Sequence, residues 1–441
     1  MNSLQIGVVN SILTVGGLIG ALVSGTVAAQ YGRRTALLWN SSTLIIGPIL
    51  EAAAPTVWVM AVGRFISGLG VGTSTVVTPL MISEIAVPKY KGFFGSFTQT
   101  SINSGIFLAQ LLGFFLSYGQ MWRVILGVGG LLAVAHLVFL FFIDESPKWL
   151  ADNDRASEGR KVLRKLRGDH FDIQEEVAGW GIEEADELES QSHTPPTTPL
   201  PLTRPPGEEQ ALLHDGSGPG ADRTSSNAKD ATKNATAGIL AVLTHPHYNR
   251  AVLAVMFLMA AQQFCGINSI IVYGVSLLSS ILTTSAALLN VLVAVLNFTV
   301  TLAFAPLIDR LGRKTCLLAS VTGMGVSSLL LAVGIGRGIN ILSAIMVLTF
   351  VGFFGLGLGP IPFILSSELV GPEAVGATQS WALAASWVST FVVTQFFPLV
   401  NEKVGKGRVY YVFFAFAMVT VLFVSIPYSV RKVGRERNVL T

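Results

Sequence analysis

At 441 residues the chain is long enough for two or three soluble domains, yet 51% of its residues are hydrophobic and only 12% are charged, about half the charged share of a water-soluble domain. That composition excludes a soluble globular protein, and a formal net charge of +3 with the basic residues in short loops excludes a nucleic-acid partner. Cys265 and Cys316, the two cysteines, fall in or beside apolar segments and read as packing residues, not as a disulfide framework or a metal site.

The apolar residues come in runs of about 20, the length that crosses ~30 Å of hydrocarbon as a helix. Met1 leads into such a run without a basic n-region or a small-residue cleavage site, so insertion is expected to use the spans themselves. Spans are expected near 5–30, 36–54, 57–82, 93–117 and 122–143, and then near 250–275, 285–307, 315–334, 341–365, 376–398 and 408–429. This reads as an all-α membrane protein with an N-terminal half over 1–143 and a C-terminal half over 250–430. Basic loops follow the first, third, seventh and last spans, which places them and the tail at 431–441 in the cytoplasm. The loop with Lys403, Lys406 and Arg408 is an exception to that pattern.

Between the halves, residues 144–249 change character. The stretch from Ser146 to Leu188 alternates basic and acidic runs and reads as short amphipathic cytoplasmic helices. From about 190 to 236, Pro, Ser, Thr, Gly and charge dominate, and nothing offsets the entropy of ordering; a disordered linker is expected there.

The chain also repeats itself. Gly32-Arg33-Arg34 after the first span recurs as Gly312-Arg313-Lys314 after the seventh, and Pro79 to Glu84 is echoed by Pro362 to Glu368. Parallel six-span halves with a substrate site between them are an arrangement that transporters use. The first half here shows five spans, and the span carrying Gln262 and Gln263 has no upstream counterpart, so a first helix is expected to be missing.

These residues resemble the sugar porters of the major facilitator superfamily over essentially the whole chain apart from the linker. Val62-Gly63-Arg64-Phe65 with Gly68, Gly70 and Gly72 looks like the family's fourth-helix motif, and Pro79 to Gly92 looks like its continuation, with Met81 for a Tyr and Lys91 for an Arg. Glu145 to Leu150, Lys165 to Gly168, and Asp309-Arg310-Leu311-Gly312-Arg313-Lys314 are similar to further family signatures. The resemblance implies the major facilitator fold of two six-helix halves, here with five and six transmembrane helices joined by a cytoplasmic linker. Physically, small residues at 68, 70 and 72 let helix backbones approach closely; a phosphate-cradling loop would need a strand before it.

Charged loop residues carry two readings. Arg33, Arg34, Asp309, Arg310 and Arg313, with Glu84 and Glu368 at neighbouring helix ends, are expected to form a gating latch that holds the cytoplasmic ends of the two halves together. The alternative is positive-inside anchoring alone, which stays open for Arg33 and Arg34.

A sugar hydroxyl needs donors and acceptors together, and amides inside spans supply both without burying a charge. Gln262-Gln263-Phe264-Cys265-Gly266-Ile267-Asn268 resembles the family's hexose-binding Gln-Gln-x-x-Gly-x-Asn signature, on a helix expected to unwind near Gly266. Gln99 and Asn297 match further family ligand positions, and Gln110 is expected on the same path. For any one of these amides alone, an interhelical hydrogen bond is an equal reading. Departures narrow the substrate: Gly355 stands where an acid is usual, Phe363 where Trp is usual, Val272 for a Tyr, and Ser386-Trp387 for Asn-Trp. Phe363 and Trp387 join the expected substrate set as aromatic faces, with helix packing as their plainer reading.

His136 reads as a hydrogen-bonded core residue, with no membrane carboxylate beside it at helical spacing, and the acid that the resemblance puts on the first helix of proton-coupled members is not seen. The Asn-x-Ser/Thr tripeptides at Asn40, Asn234 and Asn297 fall in spans or cytoplasm, so no glycan is expected. No metal constellation, nucleophile with a base or paired carboxylate points to an enzyme, and no cofactor is expected. The chain is thus expected to carry a small sugar or polyol by alternating access through a plasma or vacuolar (endomembrane) bilayer, with a proton left open as co-substrate. A sugar sensor that signals through its cytoplasmic segments is the rival reading.

Overall fold

The computed structural model describes residues 3–87, 90–168, 171–178, 180, 241–246, 248–279, 286–371, 374–405 and 407–426. The expected linker at 190–236 and tail at 431–441 lie outside them. In chain order the membrane-type helices of the first half are α1 (Ser3–Tyr31), α2 (Arg33–Ala53), α3 (Val57–Ile85), α4 (Lys91–Leu116) and α5 (Trp122–Leu140). Short polar helices follow as α6 (Pro147–Asp152), α7 (Ala156–Arg167) and α8 (Gln174–Val177). After α9 (Ala241–Thr244), the second half runs through α10 (Asn249–Phe264), α11 (Ile267–Ser279), α12 (Ala286–Leu311), α13 (Arg313–Gly336) and α14 (Asn340–Phe353). A π-helical turn at Phe354–Leu358 leads into α15 (Ile361–Glu368), followed by α16 (Val375–Val404) and α17 (Val409–Ser425).

Each expected span coincides with a helix or a broken helix pair, because only internal hydrogen bonding can satisfy the backbone in hydrocarbon. Among the described residues seven helical segments are long and apolar enough to cross a bilayer, and the pair α10–α11, bent by 43°, makes an eighth. The helix α17 is apolar but shorter. Polar side chains are concentrated in α4 and α16: Gln99 and Asn103 on the former, and Gln379, Ser386 and Thr394 on the latter, are buried.

One compact unit contains residues 1–146 and 236–441. Its first half is built on close packing of α3 against α1 and α2, and α2 also packs on α5. A Cβ at Gly72 would collide with the carbonyl of Gly17, so these helices touch backbone to backbone. In the second half α13 packs on α14 and α17, and α10 packs on α16. The halves meet chiefly along α1–α16 and α4–α12. Under the internal repeat, α1 corresponds to α12 and α4 to α16, so these two contacts are equivalents of each other.

The start of α2 shows how one acid positions a helix. The Glu145 carboxylate accepts from the backbone N–H groups of Arg33 (2.8 Å) and Arg34 (2.9 Å) and more distantly from Thr35 (3.4 Å). Three of the four N–H groups that the first turn leaves unpaired are thereby satisfied. Gly32 holds a φ of 99°, and a Cβ there would collide with the same carboxylate, so the position admits only glycine without rearrangement.

A second unit, residues 147–235, is described for its helices α6, α7 and α8. Gly159 and Leu163 of α7 are buried, Lys161, Arg164 and Lys165 are exposed, and Arg167 pairs with Glu176 at 2.8 Å. Arg155 beside Glu158, at 2.7 Å, holds its carboxyl below the usual carboxylate range.

Two outcomes follow from the first half. Gly72→Leu is expected to cost about 3 kcal/mol or more by overpacking, seen as a lower thermal midpoint in detergent, whereas Gly105→Ala, with nothing within 4 Å of its Cβ, leaves the midpoint unchanged. Glu145→Ala is expected to cost about 1–2 kcal/mol through the lost cap in the same measurement.

Candidate functional site

Pro362 has no N–H to give the carbonyl four residues back, Leu358 O, and inside a membrane that acceptor needs another donor. Gln262 supplies it: its Nε2 donates to Leu358 O at 2.9 Å and to Gly359 O at 3.0 Å. The relay continues through amides. Gln263 Nε2 donates to Gln262 Oε1 (3.1 Å) and Ser386 Oγ (3.1 Å), and Asn268 Nδ2 donates to Gln263 Oε1 (2.6 Å). Gln262 and Gln263 are buried and Asn268 is half-buried, so the relay runs from an accessible end to a broken helix. Chains of this kind polarise along their length.

Two breaks shape the relay. The α10–α11 bend falls at Gly266, whose φ is 101° and whose missing side chain leaves room for the Phe413 ring. Unwinding there places Asn268 beside Gln263 instead of on the next turn's face. The second break is the π turn before α15. Ser320 holds it by accepting from Leu358 N (2.9 Å) and donating to Phe353 O (2.6 Å), and Gly357 lies so close to α13 that a Cβ would stand 2.6 Å from Cys316 O.

A second amide cluster joins the halves. Gln99 Nε2 donates to Asn103 Oδ1 at 3.0 Å within α4. Across to α12, Asn103 Nδ2 donates to Thr301 Oγ1 (2.8 Å) and Asn297 Oδ1 (3.3 Å), and Asn297 Nδ2 returns a bond to Asn103 Oδ1 (3.2 Å). The structure thus brings the expected Gln99 and Asn297 together through Asn103, a residue that sequence reasoning misses although it stands one helical turn from Gln99. Thr301 is missed in the same way, one turn from Asn297. A Cβ at Gly355 would stand 2.9 Å from Thr301 Oγ1 and 3.3 Å from Asn297 Oδ1, so the π turn borders this cluster too.

The remaining expected residues are placed differently. Gln110 is half-buried and makes no hydrogen bond among the described residues. Phe363 is buried at 7% exposure within the core of the second half, which fits its plainer packing reading. Trp387 packs across the halves, with its ring 2.7 Å from a Cβ built on Gly17, and its indole Nε1 is buried without a partner. His136 sits 3.4 Å from Ser41 Oγ, as a core histidine would.

One buried acid escapes sequence reasoning. Glu51, near the end of α2, is 4% exposed; it accepts from Ser67 Oγ at 2.6 Å and lies 3.2 Å from Arg64 Nε, off the hydrogen-bond line. Arg123 grips the carbonyls of Ala52 and Ala54 just beyond it, at 2.6 and 2.9 Å. Sequence reasoning weighs carboxylates only at helical spacing from His136, and Glu51 stands on another helix near the end of its apolar run.

The charged residues also differ from expectation. Arg33 makes a two-pronged pair with Glu84, at 2.9 and 2.7 Å, and Arg313 a two-pronged pair with Glu368, at 3.2 and 2.8 Å. Each pair closes within its own half, in place of the expected latch between the halves. Arg34 donates to the last carbonyls of α5, Leu140 O and Phe141 O, and Lys314 to Ser425 O at the end of α17. These are the same contacts in the two repeats, and they explain why basic residues stand there: each lies at a helix C-terminus. Arg310 is exposed and unpaired among the described residues, and the Asp309 side chain lies outside them.

The chain matches the sugar (and other) transporter family over residues 2–202 and 208–430. It is 32% identical over 426 residues to a probable metabolite transport protein of Saccharomyces cerevisiae, covering 96% of this chain and 79% of that protein. It is 29% identical over 422 residues to the vacuolar protein sorting-associated protein 73 of the same yeast (95% and 79%), and 27% identical over 431 residues to the glucose transporter GlcP of Staphylococcus epidermidis (96% and 85%). Its fold is similar to that of the proton:xylose symporter XylE of E. coli, with a TM-score of 0.74, 21% identity, and coverage of 95% of this chain and 85% of that one. The expected family and fold class are therefore met, and the chain belongs to the sugar (and other) transporter family of the major facilitator superfamily, a family of multi-pass membrane carriers and not of enzymes.

Proposed function

We propose that Gln99, Gln262, Gln263, Asn268 and Asn297 bind the small sugar or polyol that this transporter carries, and that the halves rock about α1–α16 and α4–α12 as it passes. The observation that carries this reading is the amide relay from Asn268 to the carbonyls of Leu358 and Gly359. A substrate hydroxyl that accepts from or donates to Asn268 and Gln263 competes with bonds that hold the broken helix. Binding is thereby tied to a membrane segment whose broken backbone depends on a side chain from another helix.

No charged side chain belongs to either amide cluster among the described residues, which favours an uncharged substrate. The Arg33–Glu84 and Arg313–Glu368 pairs serve as clamps that keep each half rigid at its basic end, so that motion falls at the interface between halves. The positive-inside bias puts that end and the C-terminus in the cytoplasm. A yeast relative named for vacuolar protein sorting directs attention to a vacuolar or endomembrane location beside the plasma membrane.

Labelled hexoses, disaccharides and polyols offered to transporter-deficient cells test the reading. Saturable uptake of at least one is expected, falling by about tenfold or more in Gln262→Ala and in Asn268→Ala at unchanged expression; uptake unaffected by both changes would remove this site assignment. Accumulation above the external concentration that a protonophore abolishes would add a proton as co-substrate, with Glu51 the first residue to examine, whereas simple equilibration would make the protein a uniporter.

A further inference from the structure

We propose that Asn103 is a specificity-determining residue of the transport site, exchanging its bonds across the halves for the hydroxyls of an uncharged polyhydroxy substrate. The inference rests on the transport reading above and adds to it a residue and a substrate feature.

Asn103 is 1% exposed, and its amide is fully used. Both Nδ2 hydrogens are given, to Thr301 and Asn297, and Oδ1 accepts from Gln99 and Asn297. An amide can make four such bonds, so Asn103 is saturated. All three partner residues are neutral, and two of them, Asn297 and Thr301, belong to the other half. Rocking along α4–α12 therefore cannot proceed without either carrying this clasp intact or giving its members new partners, since an unpaired amide in a low-dielectric interior is costly.

The place of the clasp decides between these. It borders the π turn at Gly355, and the same turn ends at the Leu358 and Gly359 carbonyls that Gln262 holds. The cross-half clasp and the amide relay thus flank one five-residue segment. A substrate that draws Gln262 off those carbonyls loosens the segment against which Asn297 and Thr301 stand. The reciprocal Asn103–Asn297 pair, one donor and one acceptor on each side, is the hydrogen-bonding complement of two neighbouring hydroxyls. Gly355 completes the arrangement: a Cβ there would stand 2.9 Å from Thr301 Oγ1 and 3.3 Å from Asn297 Oδ1, so a side chain on the π turn would crowd the clasp.

The experiment compares the unaltered protein with Asn103→Leu and Asn103→Ser, using D-glucose and myo-inositol with their monodeoxy analogues as probes. Initial rates give KM and maximal velocity in vesicles, and thermal midpoints of the purified proteins report folding. Expected is a rise in KM of about tenfold or more in Asn103→Leu, with maximal velocity within about twofold and the penalty for one particular deoxy analogue lost. Asn103→Ser is expected to keep part of that discrimination and serves if the leucine variant does not fold. Unchanged KM with only a lowered midpoint or velocity, or deoxy penalties identical in all proteins, would overturn the inference and leave the clasp an interhelical bond. Transport of neither probe or its analogues by the unaltered protein, with expression confirmed, would instead count against the transport reading and take this inference with it.

Discussion

The bond from Gln262 to the carbonyls of Leu358 and Gly359 organises the rest of the site. A soluble protein can leave a broken helix to water, but a membrane span has to repair the break from within. Pro362 removes a donor, the π turn shifts the register, and a side chain from another helix closes the gap. Because that side chain is an amide, its own oxygen is left to recruit Gln263, and Gln263 in turn recruits Asn268 and Ser386. The repair and the proposed binding site are one network.

The two halves use different chemistry where they hold themselves together and where they meet. Within each half the contacts are permanent in kind: backbone against backbone at Gly17 and Gly72, and two-pronged arginine pairs at the helix ends. The Arg33–Glu84 pair is largely buried and costly to break by removing one member, while Arg313–Glu368 is more exposed and holds by its two-pronged geometry. Between the halves the contacts are neutral amides, small residues and the Trp387 ring over Gly17. Neutral hydrogen bonds exchange partners at little net cost when another hydroxyl or amide is offered. The division between rigid halves and an exchangeable seam is what a rocking carrier requires.

Much of this architecture is legible in the amino-acid sequence. Apolar runs mark every described membrane helix, and the repeated Gly-Arg-Arg and Gly-Arg-Lys triplets pair the halves, because both are properties of one short segment at a time. The Gln-Gln-x-x-Gly-x-Asn stretch likewise announces its own break at Gly266. What cannot be read there are partners distant in the chain. Sequence reasoning gathers the loop arginines and the two glutamates into one cluster without assigning pairs, since charge alone does not say which helix ends are neighbours. Asn103 and Thr301 are passed over because a polar residue in a span has no visible partner until α4 is laid beside α12. Glu51 is passed over for the opposite reason: a carboxylate near a span's end looks solvated until Ser67 and Arg64 are found beside it.

Gly355 carries a consequence for how such carriers diverge. The space that a side chain would occupy is held by Thr301, Asn297 and Val300. An acid introduced at 355 alone would meet these atoms, and a smaller residue introduced at 301 alone would open a void and strand Asn103 without one of its partners. Each change is disfavoured on its own. The positions 103, 297, 301 and 355 pack as one set, so a change at any of them is felt by the others.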